Sequence, residues 1–144
     1  MRTALALLSL STLLMASESF YGTWKLNVAK SDIKCGDIAS QAMTITETGP
    51  NTYRNVIDSV SKSGEKRHQG GGDRFLDGKE HSIAGQAGAS EIIERVDAST
   101  HKITQKLDGK ITTEITATVS RDGKVQTLHR KIGACEETLV FDKR

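Results

Sequence analysis

From Phe20 onward apolar and polar residues alternate in steps of two, the period of a strand with one buried face. Phe20, Gly22, Trp24 and Leu26 share one face of the first run, and Tyr21, Thr23 and Lys25 share the other. A second run, Ala42 to Thr48, turns Met43 and Ile45 inward and Thr44, Thr46 and Thr48 outward. From Thr52 to Val60 two faces compete, Tyr53 with Ile57 against Val56 with Val60, and the pattern does not choose between them. The later runs are clearer: Glu91 to Val96, His101 to Leu107, Lys110 to Ser120, Lys124 to Ile132 and Glu136 to Phe141. Ile111, Thr113, Ile115, Ala117 and Val119 are expected on one inward face, and Ile103, Gln105 and Leu107 on another. In Lys124 to Ile132, Val125, Thr127 and His129 compete with Leu128 and Ile132 for the interior.

Turn chemistry separates these runs. Gly49-Pro50-Asn51 holds the single proline, where its fixed φ costs no ladder hydrogen bond. Asp77-Gly78-Lys79, Asp108-Gly109-Lys110 and Asp122-Gly123-Lys124 read as tight hairpin turns, because Asp-Gly accepts the positive φ they need. Asp97 to Thr100 reads as a further turn. Gly70-Gly71-Gly72 marks a bulge, a sharp bend or a close backbone approach. It lacks the spacing and the Gly-Lys-Ser/Thr ending of a phosphate-binding loop. Asn27 to Ser40 is poor in apolar residues and reads as a long loop over one end, of the length that lids have. Sequential short strands with no long helical pattern imply an all-β, antiparallel up-and-down (meander) barrel of about eight to ten strands. An open sandwich is the alternative.

Gly22-Thr23-Trp24-Lys25-Leu26 resembles the Gly-x-Trp opening of the lipocalin and fatty-acid-binding (calycin) barrels. The longer run Gly22 to Asn27, followed by Ala29-Lys30-Ser31, is similar to a group of small exported bacterial barrels without settled function. The resemblance runs thinly from residue 20 to residue 144, through the hairpins to the closing strand Thr138 to Lys143. It implies a lipocalin-like domain over 20–144 in which Trp24 and Gly22 are structural and a terminal cation, Arg144 or Lys143, lies over the Trp24 ring. Fatty-acid-binding barrels grip a lipid carboxylate with an Arg-x-Tyr pair in the closing strand; the matching positions here are Leu139 and Phe141. That departure speaks against carboxylate capture by the family's route. Those barrels also cover the mouth with a helix pair after the first strand, and between Asn27 and Ala42 at most one short helical turn fits.

The first nineteen positions change the picture. Met1-Arg2-Thr3, the apolar run Ala4 to Met15 and the small, polar Ala16-Ser17-Glu18-Ser19 have the layout of a secretory signal, giving a boundary of 1–19 for the signal and 20–144 for the domain. The apolar run falls short of the roughly 20 residues a membrane span needs, so no stable anchor is expected. Without Arg2 and Glu18 the tally of 20 basic and 18 acidic residues falls to 19 and 17, and the charge of +2 is unchanged. So weak a balance, with no basic cluster, gives nucleic acid or an anionic membrane little to hold. The expected location is the periplasm or the exterior. In such an oxidising compartment the two cysteines, Cys35 and Cys135, are expected to form a disulfide tying the barrel seam.

Candidate chemistry is sparse. The four histidines stand singly, without metal-ligand spacing, and no nucleophile elbow or Cys-His pairing is present, so neither an enzyme nor a cofactor is expected. Gln105 and Thr113 fall on inward faces among aliphatic residues, as the few orienting polar groups of an apolar pocket do, and His129 joins them if its face is the inner one. With aromatic residues at 4%, an aliphatic guest fits better than a flat stacked one. The reading is an exported, monomeric barrel that carries or scavenges a small apolar or lipid-like molecule. The alternative is a protein-binding module, such as a protease inhibitor, or a structural barrel with a filled interior.

Overall fold

The computed structural model describes residues 20–144; the expected signal, 1–19, lies outside the described residues. Ten strands form one antiparallel sheet: β1 Gly22–Leu26, β2 Ile38–Gly49, β3 Thr52–Ser61, β4 Lys66–Phe75, β5 Glu80–Ser82, β6 Ala89–Asp97, β7 Thr100–Leu107, β8 Lys110–Val119, β9 Val125–Ile132 and β10 Cys135–Lys143. Their order is β4-β3-β2-β1-β10-β9-β8-β7-β6-β5, a meander in which first and last strands pair and the sheet curls into a nearly closed barrel. β1 stands fourth in that order, paired on both sides, and the alternation that predicts it gives it a buried face. Trp24 stands opposite Met43 on β2 and Lys143 on β10, and Trp24, Leu26, Met43, Ile45, Leu139 and Phe141 are all buried.

The seam is not where the chain ends meet. β1 and β10 are ladder partners, whereas β4 and β5 are the unpaired edges that face each other. The Asp77-Gly78-Lys79 turn therefore joins two strands that do not pair, and of the three Asp-Gly turns only Asp108-Gly109 and Asp122-Gly123 close hairpins. At the end holding Trp24, the chain after β4 crosses the gap: the Leu76 amide donates to Asn51 O (2.8 Å) and the Gly78 amide to Ile93 O (2.9 Å). Gly70 and Gly71 take positive φ (97° and 94°) at a register shift opposite Asn55, the bulge expected of the glycine run. A Cβ on Gly70 would collide with the Asn55 carbonyl.

A single 3₁₀ turn, Val28–Lys30, follows β1, and the segment after it runs back along β10. Asp32 and Thr138 exchange backbone bonds of 2.8 and 3.2 Å, and Cys35 is bonded to Cys135 with their Cα atoms 5.8 Å apart. The disulfide thus pins this segment to β10, on the opposite side of the sheet order from the open gap. The segment is also shorter than a loop to Ser40, because β2 begins at Ile38.

Three local expectations change. Gly22, at φ 125°, breaks the strand alternation, so Phe20 and Tyr21 both reach the interior. The space that Gly22 leaves is taken by the Lys143 side chain, which would meet a Cβ there at 2.9 Å. Lys143 Nζ lies 5.2 Å from the centre of the Trp24 ring; Arg144 is exposed and contributes a backbone bond to Thr23 O (2.9 Å), so Lys143 is the cation over the indole. Where Gln105 pairs with Thr113 and Lys106 with Ile111 the extra residue lies in β8, so Ile111 turns out of the inward face and is 59% exposed, whereas Leu107, in unbroken register opposite Ala89, is 48% exposed at the end of β7.

Candidate functional site

The interior is not filled. A cavity of about 220 Å³ lies between the Trp24 end of the core and the opposite mouth. Its apolar wall comes from alternate residues of several strands: Met43, Ile45, Ile103, Ile115 and Leu128. The polar wall is larger than the pattern predicts, with Gln41, Asn55, Gln69, Gln105, Thr113 and Gln126. Beside it, a recess of about 510 Å³ occupies the gap between β4 and the 83–86 turn, and Asn55, Ile57, Gln69, Arg74 and Gln105 border both spaces. The gap is therefore the lateral side of the site.

Gln105 and Thr113 both line the cavity and are opposite each other across the β7–β8 ladder. His129 does not join them: it is exposed on the outer face of β9, with Nδ1 3.1 Å from Thr138 Oγ1. The inner face of β9 is Gln126, Leu128, Arg130 and Ile132. Two polar members of that row dilute its apolar signal, which is why the pattern leaves the strand undecided. On β3 the face of Tyr53 and Ile57 points inward, with Asn55 between them.

Two ion pairs bracket the cavity. Arg74 on β4 donates Nε and Nη2 to the two oxygens of Glu91 on β6 at 2.9 and 2.6 Å, spanning the gap in the sheet, and lies over the Tyr53 ring at 5.5 Å. Burial opposes its charge, but Tyr53 and the Glu91 carboxylate hold Arg74 above the ordinary guanidinium range. On the far side, Arg130 donates Nε and Nη2 to Glu137 Oε1, while Glu137 Oε2 accepts the Lys34 and Cys35 amides at 3.0 and 2.9 Å. Burial alone would raise the Glu137 pKa; the Cys35 amide and the Arg130 guanidinium outweigh it and lower it. Each pair is bonded and neutral in sum, the condition under which buried charges are tolerated. Leu139 and Phe141, at the positions of the Arg-x-Tyr pair, are fully buried core residues.

His101 closes the lower wall, stacked on Phe20 with ring centres 3.9 Å apart. Desolvation, reinforced by Arg95 and opposed by Asp97, depresses its pKa to about 4 from an ordinary 6.5. The folded protein therefore holds a neutral imidazole, whereas the unfolded chain takes up a proton below about pH 6.5. Stability is fully present above that pH, is lost as pH falls toward 4, and levels off below, a total of about 3 kcal/mol from the width of the shift. Urea unfolding from pH 7.5 to 4 should show this loss in the native chain and a smaller one in His101→Phe. Parallel curves for the two would remove His101 as the cause.

Among the described residues no three His, Cys, Asp or Glu side chains gather as a metal site. No protein-family model matches the chain, and no curated protein matches its sequence. Its fold is similar to solved structures. The wild-type fluorescent protein UnaG superimposes with a TM-score of 0.65 at 16% identity, over 88% of this chain and 98% of that one. A Schistosoma mansoni fatty acid binding protein in complex with arachidonic acid gives 0.60 at 15%, over 90% and 98%. The Echinococcus granulosus fatty-acid-binding protein 1 gives 0.59 at 18%, over 88% and 98%. At these identities the likeness establishes the barrel, and the site must be argued from its own residues.

Proposed function

We propose that this chain is an exported carrier or scavenger of a small, mostly apolar molecule held inside the barrel. The observation that carries the reading is the interior cavity of about 220 Å³, walled by aliphatic side chains with a few polar groups among them. Its volume lies between the ~150 Å³ that takes benzene and the ~300 Å³ at which drug-sized pockets begin. A compact guest fits the cavity alone, and a longer one extends into the recess at the gap. Two fatty acid binding proteins among the similar folds support the reading by analogy. The rival reading, a protein-binding barrel such as a protease inhibitor, calls for a packed interior and a free N-terminal segment. Against it, the interior has room, and Phe20 is buried against His101.

Native mass spectrometry of the mature protein purified from its own host, followed by titration with fatty acids, fatty alcohols and other lipids, tests the proposal. A single retained or acquired apolar guest is the expected result. Gln105→Leu and Thr113→Val should change which guests bind more than they change the melting temperature. If nothing is retained and nothing binds up to about millimolar concentration, where binding is worth only about 4 kcal/mol, the carrier reading gives way to the protein-binding one.

A further inference from the structure

Three buried polar atoms in the cavity wall have no hydrogen-bond partner among the described protein groups: Asn55 Oδ1, His101 Nε2 and Gln126 Oε1. Buried polar groups are nearly always paired, so three orphans on side chains that line one cavity call for a partner there. Two of them are amide oxygens, which accept and do not donate. The third belongs to a ring that burial keeps neutral, with Nε2 free to accept when Nδ1 carries the proton. Gln126 is 3% exposed and His101 7%, so solvent outside the barrel does not serve them.

The charges of the site point the same way. Arg74 and Arg130, the cations at the cavity, are each engaged through Nε and Nη2 by a carboxylate, Glu91 and Glu137. A carboxylate guest would bring an uncompensated charge out of water and close to two existing anions. The closing strand adds no cation to the cavity wall: Leu139 and Phe141 are in the core, and Lys143 lies over the Trp24 ring.

Resting on the carrier reading, we propose that the guest is an uncharged molecule bearing N–H or O–H donors on an apolar body, and that the barrel discriminates against fatty carboxylates. The donors bond Asn55 Oδ1, Gln126 Oε1 and His101 Nε2, and the aliphatic wall takes the rest of the molecule. Desolvation of the wall then favours binding without leaving acceptors orphaned in the complex.

Four probes with one chain length separate the possibilities: octanol and octanamide, which donate; methyl octanoate, which only accepts; and octanoate, which is charged. Calorimetric titration at pH 7.5 should give octanol and octanamide affinities about tenfold above methyl octanoate, the worth of a net hydrogen bond or two. Octanoate should be weakest. Gln126→Leu and Asn55→Leu should each bring the octanol-to-ester ratio toward one while leaving ester affinity within about threefold. Should one variant not fold, the other carries the comparison. Glu137→Gln, which leaves Arg130 uncompensated, should raise octanoate affinity relative to octanol. Octanoate binding as well as octanamide to the native chain overturns the inference while upholding the carrier reading. So does an octanol-to-ester ratio unchanged in a folded Gln126→Leu or Asn55→Leu variant, which would assign those oxygens to ordered water. Failure of all four probes, together with no retained guest, removes the carrier reading and the inference with it.

Discussion

Trp24→Ala is expected to lower stability by about 3 to 5 kcal/mol, the cost of a large core truncation. The ring is fully buried, and its Nε1 donates to Phe20 O at 3.0 Å, so truncation opens a void and leaves a carbonyl unpaired in the same place. The damage also spreads along the sheet. Trp24 touches the register of both neighbours, opposite Met43 on β2 and Lys143 on β10, and Lys143 lies over its face. β1 is only five residues long and joins the three strands β2–β4 to the six strands β5–β10, so loosening it divides the barrel. Trp24→Phe should recover most of the packing but not the bond to Phe20 O, and should fall between the two. Urea unfolding of the three proteins measures this. A Trp24→Ala midpoint equal to that of the native chain would show that the first strand contributes nothing to the core.

The fold is largely readable from the chain because its two signals agree. Alternation at Met43-Ile45 and Thr113-Ile115-Ala117-Val119 supplies inner faces, and Asp-Gly turns supply positive φ where hairpins must reverse. What the alternation cannot reveal is where a bulge shifts it by one. Ile111 looks inward by count and is exposed in fact, because the extra residue between it and Thr113 in β8 moves it to the other face. The location of the gap is hidden for a related reason. Asp77-Gly78-Lys79 has the chemistry of a hairpin turn, yet whether two strands flanking a turn pair depends on contacts far away, here Leu76 with Asn51 and Gly78 with Ile93.

The site is less legible than the fold. Gln105 and Thr113 stand out because they interrupt apolar rows. Arg74, Glu91, Arg130 and Glu137 do not, because a charged residue in a strand is read as solvated unless its partner is known. Each partner lies on another strand, Arg74 opposite Glu91 across the gap and Arg130 opposite Glu137 across the β9–β10 ladder. Only the pairing makes their burial affordable. In β9, Gln126-Leu128-Arg130-Ile132 share one face and Val125-Thr127-His129-Lys131 the other, two aliphatic residues against one, too small a margin for alternation to choose the inner row.

Removing the disulfide, by Cys35→Ser with Cys135→Ser, is expected to cost about 4 to 5 kcal/mol, since a closed loop of about 100 residues constrains the unfolded chain by ~4.7 kcal/mol. The sequence separation is 100, which puts this bond at the long end of that relation. The folded barrel should persist, because the tethered segment keeps other holds: Asn27 N to Val140 O (2.7 Å), the Asp32–Thr138 bridge and Ser31 Oγ to the Val140 amide (2.8 Å). The effect therefore belongs mainly to the unfolded state, and the cavity wall should keep its arrangement. A second contribution runs through Glu137, whose Oε2 depends on the Lys34 and Cys35 amides. If the loose segment withdraws those donors, a buried carboxylate is left with Arg130 alone and the loss exceeds the loop term. A double-mutant cycle separates the two, with Glu137→Gln made in the bonded and the serine backgrounds and unfolding followed in urea. Additive losses assign the whole effect to chain entropy, whereas a smaller cost of Glu137→Gln in the serine background assigns part of it to the amides. A serine variant as stable as the native protein would show that the bond constrains nothing the fold does not already hold.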